Sequence, residues 1–263
     1  EGPKEDLNLT VNTQPAIFLI SYSIFNVIKK EFDVNLNNAK YFAGHSLGEY
    51  SAIACSEALS FSDTINILKE RGKAMQNAVP QGEGSMLAIL GSNIDFLKTL
   101  IEDNKKKYLC YIANDNSEGQ IVVSGKKDDI NKFSLELKNN KIKNIQLPVS
   151  APFHCPLMNK ATSIMTNKIQ NLDFKVPRNT LISNVTANEV EKLDLLKDLL
   201  ISQIESPVKW RESIIYMNKK NVNNFIEIGP GKVLSGLIKR IKKDINVTSV
   251  NTVEDIDLIK EYV

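Results

Sequence analysis

Arginine is scarce in this 263-residue chain, with four against 29 lysines, and there are only two histidines, three cysteines and one tryptophan. The cysteines, Cys55, Cys110 and Cys155, lie far apart with no CxxC pair, which argues against a disulfide framework or a structural zinc site and fits a reducing compartment. An excess of one charge is also missing. With 33 basic and 31 acidic residues the formal net charge is +2, so the chain has no basic field of the kind that gathers nucleic acid. The longest apolar run, 17–28, is broken by Ser21, Ser23 and Asn26 and falls short of the roughly 20 residues that span a bilayer. It reads as a buried helix, and neither nucleic acid nor a membrane is expected as a partner. Repeats and low-complexity tracts are absent as well.

What is present suits a globular fold, since 42% hydrophobic content can fill a core in a chain of this length. Apolar spacing predicts a helix over 14–30 with Pro15 in its first turn, a short strand at 39–43, and a helix over 50–59. Ser60 then caps a long amphipathic helix over 61–78. The rhythm changes after that: strand 85–91, helix 93–104, strands 108–114 and 120–124, helix 126–139, strand 142–147. This βαββαβ order is the ferredoxin-like split motif. A proline-rich loop at 148–156 leads to helix 157–171, strand 181–184, helices 194–204 and 209–220, strand 224–228 and helix 232–243. The expected fold is α/β: a large α/β-hydrolase-like core with a parallel sheet, formed by 1–83 and 148–263, with a ferredoxin-like subdomain inserted at 84–147.

Between the strand at 39–43 and the following helix stands GHSLG. A strand that enters Gly-x-Ser-x-Gly and leaves as a helix holds the serine in a sharp, strained turn, and the flanking glycines remove Cβ atoms that would clash. The Ser46 hydroxyl then projects as a nucleophile over a helix N-terminus. The Leu47 amide is placed to donate to a developing oxyanion. A serine needs a base, and there are two candidates. His45 is adjacent to Ser46, so its side chain points away from the nucleophile and is structural or solvent-facing. His154, in the irregular VSAPFHCPLM loop, is free to face a cleft and is the expected base. Cys155 beside it reads as a small buried residue.

Four segments in order, GHSLGEYSA, RGKAMQ, VSAPFHCPLM and FIEIGPGKVLSGLIKR, resemble the malonyl-CoA:acyl-carrier-protein transacylases of type II fatty acid synthesis, and more distantly the acyltransferase domains of polyketide synthases. The resemblance runs over essentially the whole chain. It implies that Ser46 carries the acyl group, that His154 is its base, and that a backbone carbonyl, here of Gln203, orients the imidazole in place of a triad acid. It also implies that Arg71 grips the free malonyl carboxylate, a role that a planar guanidinium suits better than an ammonium does. Asn114 and Asn116 match a stretch near the family's cleft. The Phe153 ring would disfavour α-branched acyl groups. No cofactor or metal is implied: the coenzyme A thioester is a substrate, and the phosphopantetheine belongs to the acyl carrier protein.

The same resemblance sets out the remaining expectations. The protein would be a monomer, and its basic run Lys239, Arg240, Lys242 and Lys243 would face the acidic carrier protein. Richness in Lys, Asn and Ile suits a bacterial cytoplasm or a plastid-like organelle. The family opens with a strand and a glycine–glutamine–glycine loop whose glutamine supplies a second oxyanion donor. No such segment precedes EGPKED, so half of the oxyanion hole is expected within these residues, and losing one such donor costs about 10²–10³ in rate. The rival readings are a serine thioesterase or hydrolase, an acyltransferase of a polyketide pathway, and a non-catalytic scaffold.

Overall fold

In a computed structural model that describes residues 2–32, 34–149 and 151–260, the N-terminal apolar segment forms a long helix. A short α1 (Lys4–Leu7) precedes this α2 (Thr10–Glu31). The helix starts a turn earlier than its apolar spacing predicts, because Asn12 Nδ2 donates to Asp6 O at 2.9 Å and ties it to α1. Pro15 therefore sits in the second turn. The composition of α2 would suit a membrane span, but Phe18, Phe25 and Ile28 are buried in the core.

Next come β1 (Tyr41–Phe42), α3 (Leu47–Cys55) and α4 (Phe61–Gln76). Ser60 caps α4, its Oγ accepting the Asp63 N–H at 3.0 Å. Helix α4 crosses α2 at Gly72, where a Cβ would stand 2.5 Å from Thr10 O. Only glycine permits that approach, and it brings the N-terminal half of α2 against Arg71.

The segment expected to be ferredoxin-like forms β2 (Gly84–Leu90), α5 (Ile94–Asp103), β3 (Cys110–Ser117), β4 (Gln120–Lys126), α6 (Lys127–Asn139) and β5 (Lys143–Gln146). Its sheet order is β3-β4-β2-β5 with every neighbour antiparallel. Leu87 and Ile89 alternate towards one face, where Leu97 of α5 and Phe133 and Leu137 of α6 cover them. The period-2 pattern of the strands and the helical period of α5 and α6 thus meet in one apolar layer.

The chain continues through a 3₁₀ turn at Pro156–Met158, α7 (Asn159–Gln170), β6 (Thr180–Leu181), α8 (Leu193–Gln203), α9 (Trp210–Lys219), β7 (Asn224–Ile228), α10 (Val233–Ile241), β8 (Asn246–Val250) and α11 (Val253–Asp257). Ser150, in the predicted 148–156 loop, lies outside the described residues. Strand β6 runs parallel to β1, and β8 parallel to β7. The pattern did not predict β8 or α11, since NVTSV is too polar to read as a strand; pairing with β7 and burial of Val250 and Ile256 place them. The antiparallel sheet joins the rest through reciprocal bonds, Val208 N–H to Ala113 O and Asp115 N–H to Val208 O, both 2.9 Å, and through an Arg211–Asp115 ion pair at 2.8 Å.

Candidate active site

Helix α3 begins immediately after Ser46, three residues earlier than the sequence suggests. Ser46 has φ 54° and ψ −110°, a conformation that side-chain-bearing residues occupy only when their surroundings impose it. Two contacts impose it here. A Cβ on Gly44 would lie 1.9 Å from Gly48 O, so the strand end and the helix start touch backbone to backbone. Asn184, just beyond β6, accepts the Ser46 N–H at 2.7 Å and donates to Gly44 O at 2.7 Å, clasping the turn from both sides. Gly48 differs from its sequence reading, because a Cβ there would meet open space. As first residue of α3, Leu47 carries an N–H with no helix carbonyl four residues before it.

His154 comes from the loop after β5 and is also held at positive φ, 58°. Its Nδ1 lies 2.8 Å from Gln203 O at the end of α8, and its Nε2 lies 2.8 Å from Ser46 Oγ. A carbonyl only accepts, so Nδ1 carries the proton and Nε2 offers its lone pair to the serine hydroxyl. Burial, then the positive charge of Arg71, pushes the imidazole pKa down to about 3. The ring is therefore neutral near pH 7.

Arg71, on the inner face of α4, is 1% exposed. Its Nη1 donates to Gln14 Oε1 at 2.6 Å, and Nη2 donates to Gln203 Oε1 at 2.7 Å and to Ser46 Oγ at 3.3 Å. Both anchors are neutral amides. Among the described residues no carboxylate pairs with this guanidinium, although burying an uncompensated cation is costly. A desolvated guanidinium with no carboxylate partner, beside a serine hydroxyl, suits an anionic group as its partner.

The two asparagines of β3 meet His45. His45 Nε2 lies 2.8 Å from Asn116 Oδ1 and 3.4 Å from Asn114 Nδ2, and its ring packs against Trp210 at 5.9 Å between centroids. His45 thus points towards the antiparallel sheet and away from Ser46. Phe153 packs between the large apolar core and the cluster of Met86, Ala113 and Val122. Cys155 is buried, with Sγ 3.1 Å from Pro152 O.

Residues 1–258 match the acyl transferase domain family. The chain belongs to that family. It is 40% identical over 260 residues to the malonyl CoA-acyl carrier protein transacylase of Bacillus subtilis, covering 98% of this chain and 81% of the relative. A crystal structure of the acyl-carrier-protein S-malonyltransferase from Bartonella henselae superposes with a TM-score of 0.95 at 39% identity, covering 99% of this chain and 83% of that one. A malonyl-transacylase solved in complex with a type II polyketide synthase acyl-carrier protein also matches, with a TM-score of 0.95, 32% identity, and coverage of 100% and 84%.

Three polar residues of this acyl transferase went unread in the sequence: Gln14, Asn184 and Glu49. Glu49 is 2% exposed. Its Oε2 accepts from Gln203 Nε2 at 2.6 Å, and Oε2 and Oε1 stand 3.3 and 3.4 Å from the Asn184 N–H. Burial raises its pKa to about 7 against these donors and the charge of Arg71. One signal was available for Glu49. It sits four residues before Ile53 on the apolar stripe of α3, where a charge has no place unless it is partnered.

Proposed function

We propose that this acyl transferase moves a malonyl group from malonyl-CoA to the phosphopantetheine thiol of an acyl carrier protein through a malonyl-Ser46 ester. The observation that carries the reading is the buried Arg71, unpaired and 3.3 Å from Ser46 Oγ. Neutral His154 takes the Ser46 proton on Nε2 as Oγ attacks the thioester carbonyl, and the Leu47 N–H donates to the oxyanion. Collapse of that intermediate expels coenzyme A, whose sulfur takes the proton back from His154. In the second half the carrier thiol gives its proton to His154 and attacks the ester, and Ser46 leaves with that proton. Throughout, Arg71 holds the malonyl carboxylate.

Mass spectrometry of the protein mixed with malonyl-CoA tests this. A malonyl adduct is expected, and it should vanish in Ser46→Ala; no adduct, or one that survives the substitution, defeats the claim. A thioesterase would instead release the acyl group to water whether or not a carrier thiol is present. For carrier docking we assign the end of α10 and the residues beyond it. There Lys239 donates to Ile245 O, Arg240 to Gln120 Oε1 and Lys242 to Asn218 Oδ1, so charge reversal belongs at Lys243. It should raise KM for the carrier protein and leave that for malonyl-CoA unchanged.

A further inference from the structure

The buried carboxylate of Glu49 takes no part in the steps above, yet it stands at the junction of three segments that build the site. Its own helix begins at Ser46, its oxygens face the Asn184 N–H, and its Oε2 holds Gln203 Nε2 at 2.6 Å. The same Gln203 side chain presents Oε1 to Arg71 at 2.7 Å. A primary amide has one accepting end and one donating end. If the Gln203 amide turned over, its NH₂ would face the Arg71 NH₂, two donors against each other, and the guanidinium would lose one of its two anchors. Gln203 Nε2 also reaches Ser46 O at 3.1 Å, but only the Glu49 contact is charge-assisted and short.

We propose that Glu49 is the positioning residue for the carboxylate-binding guanidinium: through the Gln203 amide it fixes Arg71 in the pose that receives a malonyl carboxylate, without pairing with that charge itself. The interposed amide is central to this. A carboxylate in direct contact with Arg71 would neutralise the receptor and compete with the substrate, whereas a carboxylate one amide away orients the receptor and leaves its Nε–H without a partner. The inference rests on the reading of Arg71 as the malonyl-binding group.

The test compares rates of Ser46 acylation by malonyl-CoA and by acetyl-CoA, which lacks the carboxylate, read as adduct formation by mass spectrometry. Glu49→Gln keeps shape and volume while replacing an accepting oxygen with a donating NH₂. Its malonyl-to-acetyl ratio of kcat/KM should fall about ten-fold, the scale of one charge-assisted hydrogen bond, chiefly through KM for malonyl-CoA. Glu49→Asp, which retains the charge, should recover part of the ratio. An unchanged ratio in Glu49→Gln, or equal losses with both substrates, overturns the inference. Arg71→Ala separates the two claims. If Arg71→Ala leaves the ratio intact, the reading of Arg71 fails; if it lowers the ratio and Glu49→Gln does not, only the role of Glu49 fails. In the Arg71→Ala background, Glu49→Gln should lower the ratio no further. A further drop of the same size as in the native background would also overturn the proposal.

Discussion

The antiparallel sheet and the layer around Ser46 lie within one chain and are built on opposite terms. Around Phe133 the buried residues include Leu87, Ile89, Leu97, Ile121, Val123 and Leu137, each at the position its strand or helix period demands. Around Ser46 the buried residues include Gln14, Glu49, Arg71, His154, Asn184 and Gln203, and two of the reacting positions, Ser46 and His154, are held at positive φ. Agreement between local pattern and burial specifies a fold, and departures from it cluster where chemistry is done. The difference shows that the polar layer is held by contacts between distant segments and not by its own local pattern.

That contrast can be broken by substitution. Ser46→Ala should abolish acyl-enzyme and lower transfer by about 10⁴-fold or more with little change in melting temperature, measured by a thioester exchange assay alongside calorimetry. The sheet should answer in the opposite way: Phe133→Ala is expected to cost about 3–5 kcal/mol in denaturant unfolding while the malonyl-to-acetyl ratio stays put. Should Phe133→Ala change that ratio, the two regions are not separable. Between these extremes, Arg71→Ala should reduce kcat/KM for malonyl-CoA roughly 10²- to 10³-fold, seen in steady-state kinetics.

A further effect is on acid stability. The folded His154 pKa of about 3 lies below the ordinary value of roughly 6.5, so the unfolded chain binds the proton more readily. Neutral burial of His154 therefore contributes stability in full above about pH 6.5, and that contribution is lost as pH falls towards 3. Melting curves over that range should fall less steeply in His154→Gln than in the native chain; parallel curves would refute the coupling.

The sheet was legible because its signal is periodic and local: all four strands and both helices of the βαββαβ order follow from alternation and spacing. The serine turn was legible for a different reason, as glycines around a serine between a strand and a helix have few other uses. Arg71 stood out through rarity of type. Gln14, Asn184 and the side chain of Gln203 carry no such mark, because an amide in a helix or loop looks the same in the sequence whether it faces water or clasps a guanidinium. Their roles come from long-range meeting, 57 residues between Gln14 and Arg71 and 132 between Arg71 and Gln203, set by the Gly72 crossing and the end of α8. Strand β8 was missed for the same reason, since a partner strand and not its own composition makes it a strand.

Gln203 meets the site twice, through two kinds of atom. The oxygen that steadies His154 is part of a peptide bond, present whatever side chain the position carries, whereas the oxygen that anchors Arg71 is part of the side chain and is deleted by a single codon change. The bond that orients the imidazole thus survives any substitution at position 203, whereas the anchor of the guanidinium does not.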